Sequence, residues 1–170
     1  MEDLTPADKA RYARHLTLPQ IGEAGQAQLK SSRVFSVGAG GLGSPALLYL
    51  AAAGVGHITI IDDDAIERSN LQRQILHADQ NVGESKSESA MIRLKQLNPS
   101  ITIEIHSDRL TTENALNLLG GHDIVIDGTD NIPTRYLVSD ACEILGIPWV
   151  YGSIYQFEGQ VSVFLSLIHI

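Results

Sequence analysis

Apolar residues along this chain gather into short β-branched runs, separated by longer segments in which apolar positions recur at helical spacing. The runs are "RVFSV", "HITIID", "SITIEIH", "DIVIDG", "IPWVYG" and "GQVSVFL". Most are continuous rather than alternating, as expected of parallel strands covered on both faces. The segments between them carry helix start and stop signals. "SPALLYLAAAG" offers Ser44 as N-cap, Pro45 as first helical residue and Gly54 as stop. "ESKSESAMIRLKQLN" is closed by Pro99, "TTENALNLLGG" by glycine, and "NIPTRYLVSDACEILG" by Gly146. Ahead of the first strand, "TPADKARYARH" reads as a helix capped by Thr5 with Pro6 at its first position, and "GEAGQAQLKSS" as a second, weaker one. Strand and helix alternate with no internal repeat or low-complexity linker. The pattern predicts an α/β fold: a Rossmann-like, doubly wound, largely parallel sheet with helices on both faces, preceded by N-terminal helices.

Charge narrows the partners. The 170 residues carry a formal net charge of −8, with only 12 Lys and Arg. That balance speaks against generic binding to nucleic acid or anionic membrane. The polar opening "MEDLTPADKARYARH" has no signal-peptide apolar core, and "PALLYLAAAGVG" is too short to span a bilayer. A single cysteine, Cys142, permits no intrachain disulfide and makes the cytoplasm the expected compartment. Its place in "DACEIL" suits a small buried hydrophobe better than a nucleophile. The histidines show no metal-ligand spacing, and no zinc motif is present.

Candidate chemistry begins at "VFSVGAGGLG". Gly38, Gly40 and Gly43 fit the G-x-G-x-x-G fingerprint, with Gly41 between them, directly after a strand and before a helix. Such a turn lays backbone N–H groups and a helix N-terminus against phosphate oxygens. Asp62 closes the second strand nineteen residues after Gly43, where an acid accepts hydrogen bonds from ribose hydroxyls. Asp63 and Asp64 are explained equally well by an acidic turn. To this point a nicotinamide-dependent oxidoreductase fits. The following segment adds Asn70 and Arg73 in "ERSNLQRQ", after Ser69, and Lys86 at a helix start in "VGESKSES". A lysine there opposes the helix dipole unless an anion neutralises it. Two cations beside one phosphate loop suit a triphosphate undergoing substitution. Finally, "IVIDGTDN" puts Asp127 and Asp130 at the carboxyl end of the fourth strand, beside Asn131. Asp130 fits a magnesium ligand and a helix cap equally well.

Taken together, "RYARHLTLPQIGEAGQ", "VGAGGLGSP", "IDDDAIERSNLQRQ", "VGESKSES" and "DGTDNIPTRY" resemble the bacterial adenylyltransferases that activate ubiquitin-like sulfur carriers, the molybdopterin-synthase and thiazole-biosynthesis activators. The resemblance runs from about Leu4 to Phe164, so residues 1–164 are expected to form the nucleotide-binding adenylation domain and 165–170 a tail foreign to the family. It implies ATP rather than NAD in the glycine loop, with Gly38, Gly40 and Gly41 against the nucleotide and Asp62 on the ribose. Asp64, Ser69, Asn70 and Asn131 join the nucleotide-binding set. Arg73 and Lys86 hold the polyphosphate, and Asp130 works with Mg²⁺. Arg14 reaches the ATP of the other subunit of a homodimer, in the manner of an arginine finger.

The implied reaction is attack of the carboxylate of a carrier's C-terminal Gly-Gly on the α-phosphorus of ATP. It gives an acyl-adenylate and pyrophosphate, in molybdenum cofactor or thiamine biosynthesis. A related enzyme acting on a small-molecule or tRNA-linked carboxylate is the rival within the superfamily. An NAD-dependent oxidoreductase and an inactive binding fragment are the rivals outside it. Past Phe164 the pattern fails: "LSLIHI" brings none of the C-x-x-C zinc cysteines or carrier-binding strands of the full-length family. The expectation is a truncated chain rather than a natural short form, with part of its sheet uncovered.

Overall fold

In the computed structural model, which describes residues 3–165, the chain forms seven helices, six strands and two short 3-10 turns. Helices α1 (Pro6–Arg11), α2 (Ala13–Leu16) and α3 (Gly22–Ser31) come first. β1 (Arg33–Val37), α4 (Gly43–Ala53), β2 (His57–Ile61), α5 (Lys86–Leu97) and β3 (Thr102–His106) make the first half of the sheet. α6 (Ala115–Leu119), β4 (Ile124–Asp127), α7 (Ile132–Leu145), β5 (Trp149–Tyr155) and β6 (Glu158–Phe164) complete it. The strand order is β3-β2-β1-β4-β5-β6, parallel except for the final β5–β6 hairpin.

The pleat divides the core. Val34 of β1 faces one side with Ile58, Ile60 and Ile103, where α4 and α5 contribute Leu47, Ala51, Ala90 and Leu94. Phe35 and Val37 face the other side with Ile61 and Val125, where α6 and α7 bring Leu119, Val138 and Cys142. Burial pushes the Cys142 thiol up to about 12, which removes it from nucleophilic chemistry at neutral pH. The predicted doubly wound architecture is therefore present.

Three details differ from the sequence pattern. The first helix breaks at Tyr12, whose ring leaves the surface to lie against the end of α4. Gly54, in the left-handed region at φ +86°, makes room for it, since a Cβ there would stand 2.5 Å from the phenol oxygen. Ser44 is not an N-cap. It is buried inside the first turn of α4, and its hydroxyl donates to the Ala39 carbonyl at 3.0 Å. The "TTENALNLLGG" helix shrinks to the five residues of α6, because Asn114 ties off the turn before it by accepting from Thr111 N–H at 2.8 Å.

Beyond this, β6 is exposed at every residue, with Val161, Val163 and Phe164 among them. The expected tail begins at its end, and residues 166–170 lie outside those described. No helix among the described residues is long and apolar enough to cross a membrane.

The N-terminal helices are fastened by buried polar contacts rather than by apolar area alone. Gln26 donates to the Ala53 carbonyl at 2.9 Å, and Asn98 donates to both the Tyr12 hydroxyl and the Ala51 carbonyl at 2.8 Å. Asn98 is wholly buried, so truncating it strands two acceptors at once. Asn98→Ala is expected to cost about 2 kcal/mol, lowering the midpoint of thermal unfolding by about 6 °C in a circular-dichroism melt.

Candidate nucleotide site

A cleft of about 450 Å³ opens at the carboxyl ends of β1, β2 and β4, where the strand order reverses direction. Open α/β sheets bind ligands at this switch point. The glycine loop forms its floor. Gly38 has φ +95° and donates its N–H to the Ile61 carbonyl at 2.8 Å. Gly43 starts α4 so close to the strand that a Cβ would stand 2.2 Å from the Gly38 carbonyl oxygen. Only glycine permits that approach.

Between them, Ala39 is gripped from both sides. Its N–H donates to Asp62 Oδ2 at 2.8 Å, and its carbonyl lies 3.0 Å from the Ser44 hydroxyl and 3.1 Å from His77 Nε2. Because Nε2 faces an acceptor, it carries the proton. Nδ1, 3.1 Å from the Ser89 hydroxyl, accepts. Burial holds the His77 imidazole below its ordinary pKa, against the opposing effects of the Ala39 hydrogen bond and the Asp62 charge. His77 therefore props the loop as a neutral ring.

Around this floor stand charged groups of both signs. Burial pushes the Asp62 carboxyl up, while the Ala39 and Asp64 N–H groups and the Lys86 charge pull it back. Lys86, on the first turn of α5, is buried to 7% side-chain exposure, and its Nζ sits 2.6 Å from Asp64 Oδ2. The anion that its position calls for is thus supplied in part by the protein itself. Asp63 is met by Arg109, with Nη2 at 3.0 Å. Arg73 lies alongside the loop, its Nε 3.5 Å from where a Gly41 Cβ would be. Gln74 does the same at Gly40, with Nε2 3.5 Å from the corresponding point.

Of the residues picked from sequence, Gly38, Gly40, Gly41, Asp62, Asp64, Arg73, Lys86, Asp130 and Asn131 all line the cleft. Ser69 and Asn70 do not. They form the 3-10 turn Arg68–Asn70, where the Ser69 hydroxyl donates to Glu67 Oε2 at 3.1 Å and Asn70 Oδ1 accepts from Glu67 N–H at 3.4 Å. The turn borders Arg73, whose Nη1 lies 3.5 Å from the Ser69 carbonyl. Arg14 is exposed on α2, outside the cleft.

Asn131, rather than Asp130, caps α7, accepting from Thr134 N–H at 2.9 Å, and Asp130 stays exposed at the rim. Sequence reasoning passed over His77, Gln74, Arg109 and Arg135. Gln74 and His77 carry one available signal, a polar pair flanking two apolar residues in the "QILH" stretch directly after Arg73.

The ThiF family model matches residues 12–168. The chain belongs to the ThiF family. Among curated relatives, it is 53% identical over 161 residues to a probable adenylyltransferase/sulfurtransferase MoeZ of Mycobacterium tuberculosis, covering 95% of this chain and 41% of the relative. It is 52% identical over 160 residues to the sulfur carrier protein adenylyltransferase of Thermus thermophilus, covering 94% and 59%. This ThiF-family chain therefore spans about half the length of such relatives. Among solved structures, E. coli TcdA, a tRNA N6-threonylcarbamoyladenosine dehydratase in complex with ATP, superposes with TM-score 0.80 at 31% identity, covering 85% of this chain and 59% of that one. E. coli MccB with ATP superposes with TM-score 0.83 at 25% identity, covering 92% and 48%.

A histidine held below its usual pKa contributes stability that is complete above the ordinary imidazole value of 6.5. That contribution is lost as the pH falls through the lower folded-state value. His77→Gln keeps a donor for Ala39 and cannot titrate. The stability advantage of the parent over this variant is expected to shrink steadily as urea titrations move from above pH 6.5 into acid.

Proposed function

We propose that this chain is the nucleotide-binding part of an ATP-dependent adenylyltransferase acting on a ubiquitin-like sulfur-carrier protein. The observation that carries the reading is the convergence of Arg73 and Lys86 on one glycine loop whose ribose-side acid is Asp62. A dinucleotide diphosphate is already served by the loop and the α4 N-terminus. Two added cations match the greater charge of a triphosphate and its pyrophosphate leaving group. Relatives at 52–53% identity bear names of sulfur-carrier and sulfurtransferase chemistry, whereas TcdA stands at 31%. That difference favours the carrier protein over a tRNA-linked carboxylate.

In this reading a C-terminal glycine carboxylate attacks the α-phosphorus of ATP, the bond to the β-phosphate breaks, and pyrophosphate leaves. The nucleophile is ionised at neutral pH, so no protein base is required. The work of the site is to gather negative groups and stabilise their charge. Lys86 and Arg73 hold the polyphosphate, and the loop N–H groups meet its oxygens. Asp62 takes the ribose, while Asp64, Asn70, Ser69 and Asn131 complete or brace the pocket. Mg²⁺ bound with ATP would be held chiefly by phosphate oxygens and needs only one or two protein carboxylates. Asp130, exposed at the rim and in no ion pair among the described residues, fits that requirement. When bound, the ion neutralises phosphate charge. Arg14, exposed and outside the lining of this chain's own cleft, is assigned to the nucleotide of a partner subunit in a homodimer. The cytoplasm is the compartment in which such chemistry belongs.

Mg-ATP is expected to raise the melting temperature of the chain by several degrees while NADH leaves it unchanged, and the reverse result would overturn the reading. Arg73→Ala should abolish that shift and any carrier-dependent ATP–pyrophosphate exchange, with its own melting point within about 1 °C of the parent, since the side chain is exposed. Near-normal exchange by this variant would exclude the role given to Arg73.

A further inference from the structure

The turn that presents Asp130 is held at every neighbouring residue. Asp127 Oδ1 accepts from the Thr129 N–H at 2.9 Å and from its hydroxyl at 2.7 Å. Asn131 fixes the far side as the cap of α7. The third tie is Arg135. Its Nη2 donates to the Thr129 carbonyl at 2.7 Å and lies 3.4 Å from the Gly152 carbonyl, and its Nη1 donates to the Tyr151 hydroxyl at 2.8 Å. The guanidinium carbon stands 4.9 Å from the centre of the Tyr151 ring.

One planar cation therefore joins the turn, α7 and β5. It does so at a cost, because its Nε is buried without a hydrogen-bond partner among the described residues. Packing alone would be served more cheaply by an apolar side chain against Tyr151. Nη2 is directed at the Thr129 and Gly152 carbonyls and Nη1 at Tyr151, so most of the guanidinium's donors serve the turn and β5 rather than the open cleft that it borders.

We propose that Arg135 is a positioning residue for Asp130, fixing the turn so that the Asp130 carboxylate meets magnesium carried with the nucleotide. This rests on the ATP reading above. Lysine at this position keeps the charge and loses the fork that spans Thr129 and Tyr151. Groups that orient a metal-binding carboxylate affect metal affinity more than the affinity of the remaining ligand.

Isothermal titration of ATP into the chain, with magnesium and separately in EDTA, tests this. Arg135→Lys is expected to weaken Mg-ATP binding about tenfold and to raise the half-saturating magnesium concentration alike, with ATP affinity in EDTA within about twofold of the parent. Tyr151→Phe removes one hydroxyl and serves if Arg135→Lys fails to fold. It should shift the same magnesium dependence in the same direction, by about threefold. Equal loss with and without magnesium, or an unchanged magnesium dependence in whichever variant folds, overturns the assignment to Arg135. A parent that binds no ATP with or without magnesium overturns the ATP reading itself, and this inference with it, whereas a parent whose ATP affinity ignores both magnesium and Asp130→Asn overturns this inference alone.

Discussion

The cleft depends on how Ala39 is held. One peptide plane donates to a carboxylate at the end of the neighbouring strand, and one carbonyl receives both a helix serine and a histidine from a distant loop. Those contacts fix a turn that has no side chains of its own with which to hold a shape. With Ala39 fixed, Gly40 and Gly41 stay bare toward the cleft and α4 aims its N-terminus at the same space. A loop meant to meet phosphate through its backbone has to be rigid before the ligand arrives, or the ordering cost is taken from the binding energy.

Charge in the cleft follows a similar economy. Lys86 is too buried to remain unpaired, and Asp64, largely in solvent, is its counter-ion. Removing one member of such a pair leaves the other stranded, more so for the buried lysine than for the exposed acid. Asp63 and Arg109 form an outer, exposed version of the same arrangement, where salt and solvent weaken the pair.

Much of this was legible in the chain itself. β-Branched runs at short spacing located the six described strands, and the glycine fingerprint and the acid after the second strand came into direct contact at one cleft. What escaped had a physical reason. Ser44 looked like a cap because a cap and a buried brace use the same hydroxyl, and only the position of Leu42 in a helical conformation separates them. Lys86 called for an anion, and nothing local said that the anion was Asp64, twenty-two residues earlier and brought close by the return of α5 to the sheet. Ser69 and Asn70 stand outside the lining of the cleft, the Ser69 hydroxyl and the Asn70 Oδ1 engaged within their own turn beside Arg73. His77 and Arg135 act through contacts with residues far off in sequence, and no periodicity encodes those.

The register of β1 has a kinetic meaning. This central strand pairs on one side with β2, beginning at Arg33 opposite His57, and on the other with β4, where Val34 lies opposite Ile124. The second pairing closes a loop of ninety residues, and distant parallel contacts are the slow ones to form. The cleft lies along that seam, so its floor cannot be complete until the most remote pairing in the sheet has been made. A ligand seated in the cleft would touch residues on both sides of that seam, and its binding free energy would add to the stability of the pairing beneath it.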